Sequence, residues 1–470
     1  MHFAIGVTIP AAMMTTSDSE SVTLSPGCCA RFAQQVHCDG RAATRLGRAM
    51  NLEANPLLQK LAAVLFALAL LHTFSAKRFE RLASRSARHS GLFHLLGEVE
   101  VVFGFWAIVL IAGMALLSSG EDAIQYAESR NYTEPLFVFV VMVIAASRPV
   151  MHAVETSLRT TARALPAPTP IVGAWLSFAI VPLFGSLITE PAAMTIAALM
   201  LAPQVFQRNI SERSKYVALG VLFVNISIGG TLTAYAAPPV LMVANTWGWD
   251  SAFMLMHFGW KAALVVFVNA TIATLVLRRE LGASNPPDAS ALRSIPLPVI
   301  LVHLGFLAAS VTFAHHPIIF LGLFLMFLGF TQAYEEYQSP LIVKEALLVA
   351  FFLAGLVLLG GMQRWWLQPI VFALEPLALF ASALGLTAIT DNAALTYLGS
   401  LIHDISDEAK YMLVAGAVAG GGLTVIANAP NPAGVALLRR GFADETVGAG
   451  GLLLGAAVPT LLAAAAFVFL

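Results

Sequence analysis

Charged side chains are scarce in this chain: Asp, Glu, Lys and Arg together make up 11 % of its 470 residues. Soluble globular proteins carry about 25 %, so the composition excludes an ordinary soluble domain. Cysteine is also rare. Cys28, Cys29 and Cys38 all lie near the N-terminus, and their spacing predicts neither a metal site nor a disulfide framework.

Several enzyme signatures are missing as well. The sequence contains no phosphate-binding Gly-rich lysine loop, no His-Glu-x-x-His and no Gly-x-Ser-x-Gly. Without the lysine loop, an ATP-driven pump is disfavoured. We therefore predict that the chain is not an enzyme and needs no cofactor.

Apolar sequence dominates instead. Hydrophobic residues account for 58 % of the chain and its mean hydropathy is +0.79. A helix needs about 20 apolar residues to cross a bilayer, and many runs reach that length, which predicts an all-α polytopic membrane protein. These runs lie near residues 57–75, 97–118, 135–153, 214–246, 252–277, 296–314, 317–334, 341–362, 408–438 and 447–470.

One acidic motif occurs twice. Residues 188–195 read Ile-Thr-Glu-Pro-Ala-Ala-Met-Thr, and residues 389–396 read Ile-Thr-Asp-Asn-Ala-Ala-Leu-Thr. Each copy is followed by a Lys-Tyr pair and then by a glycine-rich stretch that leads to prolines, at residues 229–239 and 420–432. A duplicated motif with helix breaks in apolar sequence is typical of secondary transporters.

The duplication predicts two repeats, each with a re-entrant hairpin at the acidic motif and a broken transmembrane helix at the glycines, plus scaffold helices. Irregular backbone at membrane depth is tolerated only where it is buried in protein or lines a wet cavity. The predicted bounds are 56–280 for the first repeat (hairpin about 170–206, broken helix about 214–246) and 281–470 for the second (hairpin about 367–402, broken helix about 408–438).

The N-terminal segment, residues 1–55, differs from the rest because it holds every cysteine and no long apolar run. It lacks a basic leading segment, so we do not expect a signal peptide. We predict a disordered extension. Alternatively, translation starts at Met50, directly before the first apolar run.

Charge placement orients the chain in a cytoplasmic (inner) membrane. Five Lys and Arg residues at 77–88 predict a cytoplasmic loop, and the acidic residues at 121–134 predict an outer loop. Counting spans from there, the first hairpin enters from the cytoplasm and the second from outside. The two repeats are therefore predicted to be inverted, with both chain termini outside.

Glu190 and Asp391 are the candidate functional acids. An ionised carboxylate at bilayer depth costs about 2.5–3.5 kcal/mol, so such a group is normally paired, protonated or bound to a cation. We interpret both as Na⁺ candidates that also exchange a proton; the alternative is a pair of hydrated loop-tip acids. Asp391 is expected to be the main ligand, because Asn392 beside it adds an oxygen whereas Pro191 adds none.

Side-chain oxygens near these acids suit a hard cation, which takes oxygen ligands. Alternative roles are helix capping for the flanking residues and close helix packing for the glycines. Asn225 and Ser227 are weaker candidates. The predicted ligands are Thr189, Thr390 and Asn392 beside the acids, and Thr231, Thr233, Thr424, Asn428 and Asn431 in the glycine-rich stretches.

These motifs, together with the run from Asn225 to Thr233, resemble the putative Na⁺/H⁺ antiporter family over roughly residues 55–470. That family is similar to a wider ion transporter superfamily with D-type sodium/proton antiporters, arsenite exporters and dicarboxylate symporters. The resemblance implies a homodimer, with a scaffold domain and a transport domain that holds two hairpins and two broken helices. Dicarboxylate symporters have Ser-Asn-Thr at both tips. Thr-Glu-Pro and Thr-Asp-Asn here favour a cation.

Three functions remain open from the sequence. The first is Na⁺(Li⁺)/H⁺ antiport, with the lipid bilayer and small cations as partners and no nucleic acid. The second keeps the fold but carries an oxyanion or organic acid, held by helix N-termini and coupled to cations. The third, an intramembrane aspartyl protease, needs two acids in a fixed acid–base pair. The inverted repeat and the lack of Gly-x-Gly-Asp oppose it.

Overall fold

A computed structural model describes Leu52 and residues 54–85, 89–164, 169–281 and 295–470. These residues form helices and no strands, which confirms an all-α chain. The predicted N-terminal extension and the alternative start at Met50 fall almost wholly outside the described residues.

The described residues form twenty α-helices, which we number in chain order. They are α1 Pro56–Arg85, α2 Ser90–Gly97, α3 Val99–Leu117, α4 Gly120–Glu128, α5 Thr133–Ala145, α6 Arg148–Ala164, α7 Thr169–Ile188, α8 Glu190–Leu201, α9 Glu212–Gly229, α10 Pro238–Trp247, α11 Ser251–Leu281 (with a π-helical turn at Leu255–Gly259), α12 Leu297–Thr312, α13 Pro317–Ala333, α14 Val343–Gly360, α15 Arg364–Phe372, α16 Pro376–Thr387, α17 Asn392–Ser400, α18 Asp407–Gly420, α19 Asn431–Leu438 and α20 Ala449–Phe469.

Within the described ranges, seven helices are long and apolar enough to cross a membrane, and a bent pair makes an eighth. This confirms a polytopic membrane protein. The seven segments are Pro56–Thr73, Glu100–Leu117, Pro170–Ile188, Glu212–Leu232, Ser251–Leu281, Val343–Gly360 and Ala449–Phe469.

The bent pair replaces the straight span predicted at 135–153. Helices α5 and α6 meet at an angle of 63°. Pro149 lies in the first turn of α6 and cannot donate a backbone hydrogen bond. Just before it, the Ser147 hydroxyl donates to the Ile144 carbonyl at 2.6 Å. The helical ladder therefore ends and restarts here.

Each acidic motif lies between two consecutive helices. Helices α7 and α8, which we call the first helix pair, meet at Thr189, and α16 and α17, the second helix pair, flank residues 388–391. The second hairpin was predicted to begin near 367, but its first part is the separate helix α15, which has no buried residues. Pro369 in α15 and Pro376 at the start of α16 divide this apolar block, since proline interrupts a helix.

Both glycine-rich stretches interrupt a helix. Between α9 and α10 the chain forms a single 3₁₀ turn at Gly230–Leu232, and residues 233–237 are not helical. Between α18 and α19, residues 421–430 are not helical. We call these segments the first and second interruption. They place non-helical backbone next to the acidic motifs.

Packing between the two halves of the chain is reciprocal. Helix α8 of the first helix pair packs on α19, beyond the second interruption, and α17 of the second helix pair packs on α10, beyond the first. Helices α9 and α18 also contact each other. Each helix pair is thus packed against the helix that follows the interruption of the other half.

The duplicated Lys-Tyr pairs mark the ends of the last helix. The Tyr216 hydroxyl accepts a hydrogen bond from the Gly448 amide at 3.0 Å, beside the start of α20. The Tyr411 hydroxyl donates to the Phe467 carbonyl at 2.8 Å, near its end. Because α20 has 21 residues and rises 1.5 Å per residue, it is about 31 Å long. Helices α9 and α18 therefore begin at opposite ends of a membrane-length helix.

Candidate functional site

Glu190 lies between the two interruptions. It is the first residue of α8, and no part of it is exposed to solvent. Its Oε2 accepts a hydrogen bond from Asn428 Nδ2 at 2.8 Å, in the second interruption. Its Oε1 has no protein partner and lies against Gly230 in the first, where a Cβ would be only 2.5 Å from that oxygen. One carboxylate thus contacts both halves of the chain.

Thr189 holds a backbone conformation that threonine rarely adopts. Its φ of 80° and ψ of 150° fall in a region populated almost only by glycine, with a typical cost of about 1–3 kcal/mol. Its hydroxyl oxygen is buried and has no protein partner. Pro191 follows in the first turn of α8, a position that proline favours. This turn directs Glu190 toward the interior.

Asp391 has a different role in its own motif. It is the N-cap of α17, and its Oδ1 accepts hydrogen bonds from the amides of Ala393 at 2.8 Å and Ala394 at 3.2 Å. Asp391 is half-buried. The Thr390 hydroxyl donates only to the adjacent Asp391 carbonyl, at 3.2 Å. At least one carboxylate oxygen of Asp391 is therefore committed to capping a helix.

Asn392 occupies the position that proline has in the first motif. Its side chain lies where α9, α17 and the second interruption meet. It is fully buried, and neither its side-chain oxygen nor its side-chain nitrogen has a protein partner. Its backbone amide donates to the Ala427 carbonyl at 3.1 Å. A Cβ at Gly421 would lie 2.9 Å from Asn392 Nδ2 and 2.1 Å from Ser227 Oγ. Gly421 thus permits three segments to converge.

Asn428 in the second interruption and Asn431, the first residue of α19, make different contacts. The Asn431 amide nitrogen donates to the carbonyls of Gly421 at 2.8 Å and Thr424 at 2.9 Å, which fixes the non-helical backbone. Asn428 uses its nitrogen on Glu190. The side-chain oxygen of each asparagine is buried and has no protein partner, so both remain available as ligands.

The predicted threonines of the interruptions are engaged in local hydrogen bonds. Thr231 donates to the Ile228 carbonyl at 2.6 Å, Thr233 to the Ser186 carbonyl at 2.6 Å, and Thr424 to the Ala388 carbonyl at 2.9 Å. Each hydroxyl keeps lone pairs that can still accept. The contacts of Thr233 and Thr424 hold the interruptions against the two helix pairs, whereas that of Thr231 stays within its own turn.

The buried oxygens without a protein partner in this region include five at the acidic motifs and the two asparagines: Thr189 Oγ1, Glu190 Oε1, Asn392 Oδ1, Asn428 Oδ1 and Asn431 Oδ1. A buried polar atom without a partner costs about 1–3 kcal/mol, and hard cations bind oxygen atoms of these types. Among the described residues, no three His, Cys, Asp or Glu side chains converge into a metal cluster, here or elsewhere. This set of oxygens is therefore the candidate cation site.

Polar residues that support the site were ranked low or missed by sequence reasoning. Ser186 donates to the Gly229 carbonyl at 2.7 Å and accepts from the Leu232 amide at 2.9 Å. Asn225 accepts from Asn269 Nδ2 at 2.9 Å and donates to the Phe178 carbonyl at 2.8 Å. The available signal was a lone polar residue in an apolar helix, since such residues are costly in a membrane.

Comparison with known proteins agrees with this architecture. No curated protein matches the sequence. One family profile matches residues 57–470, which is nearly the whole described chain, and its description is "Putative Na+/H+ antiporter". The match supports this family and does not extend to the wider superfamily. By this match, the chain belongs to the Na⁺/H⁺ antiporter family of that description.

Proposed function

We propose that the protein exchanges Na⁺ or Li⁺ for H⁺, with Glu190 as the carboxylate that both ions use. Family membership and the membrane helices support a transporter. The observation that carries the proposal is the Glu190 carboxylate, which is fully buried, bonded on one side to Asn428 and without a protein partner on the other.

Exchange follows from the cost of a buried charge. A carboxylate at this depth is stable when a cation or a proton neutralises it, and both bind the same oxygens. Binding one ion therefore displaces the other. The concentration of Na⁺ that gives half-maximal exchange is expected to rise as the pH falls, by up to about ten-fold per pH unit for strict competition at one carboxylate.

We assign the remaining residues by their contacts. The oxygens of Thr189, Asn392, Asn428 and Asn431 complete the cation site with Glu190. The hydroxyls of Thr231, Thr233, Thr390 and Thr424 hold the backbone around it, and Asp391 caps α17 while adding negative charge. Sequence reasoning ranked Asp391 first. The contacts favour Glu190, because its carboxylate oxygen that has no protein partner is fully buried between the two interruptions.

We also propose that the two halves are inverted repeats whose helix pairs are re-entrant hairpins entering from opposite faces. The reciprocal packing of the helix pairs supports this arrangement. So does the attachment of Tyr216 and Tyr411 to opposite ends of α20. The predicted scaffold, the homodimer, the inner-membrane location and the external termini form part of the same proposal.

The hydrogen bonds of Asp391 argue against the alternative of an anion carrier. An anion at a hairpin tip needs free amides at a helix N-terminus. In α17, the amides of Ala393 and Ala394 already donate to the Asp391 carboxylate, whose negative charge also repels an anion. The contacts at this tip therefore favour a cation as cargo.

Everted membrane vesicles with a pH-sensitive dye test the proposal. Addition of Na⁺ or Li⁺ should dissipate a pre-formed pH gradient in vesicles that contain the protein, and not in vesicles without it. If neither cation does so between weakly acidic and weakly alkaline pH, the proposed function is wrong. Proton flux that requires an added anion, and not a particular alkali cation, would favour the anion carrier.

A further inference from the structure

A cavity of about 420 Å³ lies beside the first interruption, apart from the cation site. It is lined by the start of α5, by residues 234–235 of the interruption, by α10, by the start of α11 and by the segment after α12. One water occupies about 30 Å³ of liquid, so the cavity has room for a cation with its first hydration shell.

The ends of four helices line this cavity. Its lining includes Glu134 in the first turn of α5, Asp250 before α11 and His315 after α12. The acidic loop at 121–134 predicts that this face lies outside the membrane. The lining also includes Ala234 and Tyr235, which belong to the interruption, and the Ala234 amide donates to the Ser251 hydroxyl at 3.3 Å, at the start of α11. The cavity therefore connects one surface of the membrane with the interruption.

Of the two acids that line this cavity, Glu134 accepts the weaker hydrogen bonds. Asp250 Oδ1 accepts from the Phe253 amide at 2.7 Å, which commits it to capping α11. Glu134 is half-buried, and its Oε1 accepts only long hydrogen bonds, from Asn131 at 3.4 Å and Asn245 at 3.5 Å. Among the described residues it forms no ion pair. Its carboxylate is thus free to attract a cation.

A short series of contacts joins the interruption residues that line the cavity to Glu190. Tyr235 and Ala234 follow Thr233, whose hydroxyl binds the Ser186 carbonyl. Ser186 in turn binds the Gly229 carbonyl, and the next residue, Gly230, lies against the Glu190 carboxylate. A cation in the cavity is therefore separated from the proposed ion site by one non-helical segment.

We propose that this cavity is the external vestibule of the transporter and that Glu134 is the residue that concentrates monovalent cations in it. A carboxylate in a narrow, low-dielectric entrance raises the local cation concentration, and the effect weakens with ionic strength. The role of Glu134 rests on the proposed function, since it assumes that the cargo is an alkali cation. The existence and sidedness of the vestibule do not.

Thiol labelling tests the vestibule without any transport measurement. Once Cys28, Cys29 and Cys38 are replaced by Ser, Ala234→Cys should react with a membrane-impermeant cationic thiol reagent in right-side-out vesicles and not in everted ones. Leu325→Cys is the matched control, since Leu325 is 69 % exposed in the middle of the apolar helix α13 and should stay unlabelled. Failure of Ala234→Cys to react, or reaction only in everted vesicles, would overturn the vestibule.

Kinetics in right-side-out vesicles test Glu134. Glu134→Gln should raise the external Na⁺ concentration for half-maximal exchange by about three- to ten-fold, leave the maximal rate unchanged, and have a larger effect at low ionic strength. Glu134→Asp should restore most of the affinity. Glu128→Gln removes an exposed acid that does not line the cavity and should change nothing.

The two experiments separate the possible failures. If Ala234→Cys is labelled from outside but Glu134→Gln behaves like Glu128→Gln, the assignment of Glu134 is wrong. If no alkali cation drives proton flux while the labelling is as expected, the proposed function fails and the external vestibule stands.

Discussion

The two acidic motifs share a sequence pattern, but the helix that follows begins one residue later, relative to the acid, in the second motif than in the first. In the first motif, helix α8 begins at Glu190 itself; in the second, helix α17 begins at Asn392, one residue after the acid. Asp391 therefore occupies the cap position and binds the amides of its own helix. Glu190 lies within the first turn, and its carboxylate is directed to the other half of the chain.

The backbone differs between the two motifs. Thr189, before the first acid, has a positive φ, whereas no positive φ occurs at Thr390. Pro191 has no amide hydrogen, whereas Asn392 has an amide, which it donates to Ala427. The preference of proline for the first helical position does not account for the register, because Pro191 is the second residue of α8. A helix cap at Asp391 and a buried carboxylate at Glu190 thus go with two different backbone conformations.

The equivalent glycines of the two interruptions should give the largest contrast. Gly230→Ala places a Cβ 2.5 Å from Glu190 Oε1, so the carboxylate must move, and Na⁺-evoked proton flux should fall to background while the protein stays folded. Gly421→Ala places a Cβ 2.1 Å from Ser227 Oγ and 2.9 Å from Asn392 Nδ2; it should lower the melting temperature and reduce flux without abolishing it, because Glu190 keeps its place. Flux in vesicles and thermal unfolding in detergent measure both.

Gly305→Ala is the control for this pair, because no atom lies within 4 Å of the added Cβ in α12. It should leave both flux and melting temperature unchanged. Normal exchange by Gly230→Ala would contradict the placement of the ion beside Glu190 Oε1.

Removing the Asn428 side chain should have the next largest effect on exchange. Asn428→Ala removes the hydrogen bond to Glu190 Oε2, and hydrogen bonds to charged groups contribute about 1.5–3 kcal/mol. Since 1.4 kcal/mol is a factor of ten in binding, the half-maximal Na⁺ concentration should rise by about ten-fold or more. Asn209→Ala, at an exposed position after the first helix pair, should not change it.

Replacing the threonine before each acid by glycine should have the smallest effect. The two variants should change the free energy of unfolding in opposite directions. Thr189→Gly relieves a backbone conformation that costs about 1–3 kcal/mol and should raise the free energy of unfolding. Thr390→Gly relieves none and should lower it by about 0.5–1 kcal/mol. Denaturant unfolding in detergent compares the two variants. Equal destabilisation by both would show that the positive φ of Thr189 is not a source of strain.

Sequence alone predicted the helical class, most of the membrane-crossing segments and both helix interruptions, because apolar run length and glycine–proline clusters act locally. It did not predict the 63° bend between α5 and α6 or the separate helix α15, although prolines are present at both places. Long apolar blocks mask such breaks when hydropathy is averaged over a window.

Within the candidate site, the sequence singled out both acids but did not predict the different contacts that each of them makes. The motif comparison favoured Asp391 for its neighbouring Asn392, whereas capping depends on the residue at which the helix begins, and the two helices begin at different positions relative to the acid. The bond between Glu190 and Asn428 joins residues 238 positions apart in the chain. No local pattern predicts such a contact, since only the packing of α8 on α19 brings the two residues together.

Proton release on cation binding tests the role of Glu190 most directly. Purified protein in weakly buffered detergent solution is mixed with Na⁺, and a pH-sensitive dye reports the protons released. Wild type and Asp391→Asn, in which asparagine keeps the helix cap, should both release protons on Na⁺ addition. Glu190→Gln should release none, because an amide cannot exchange a proton. Release by Glu190→Gln together with its loss in Asp391→Asn would contradict the account and make Asp391 the exchanging carboxylate.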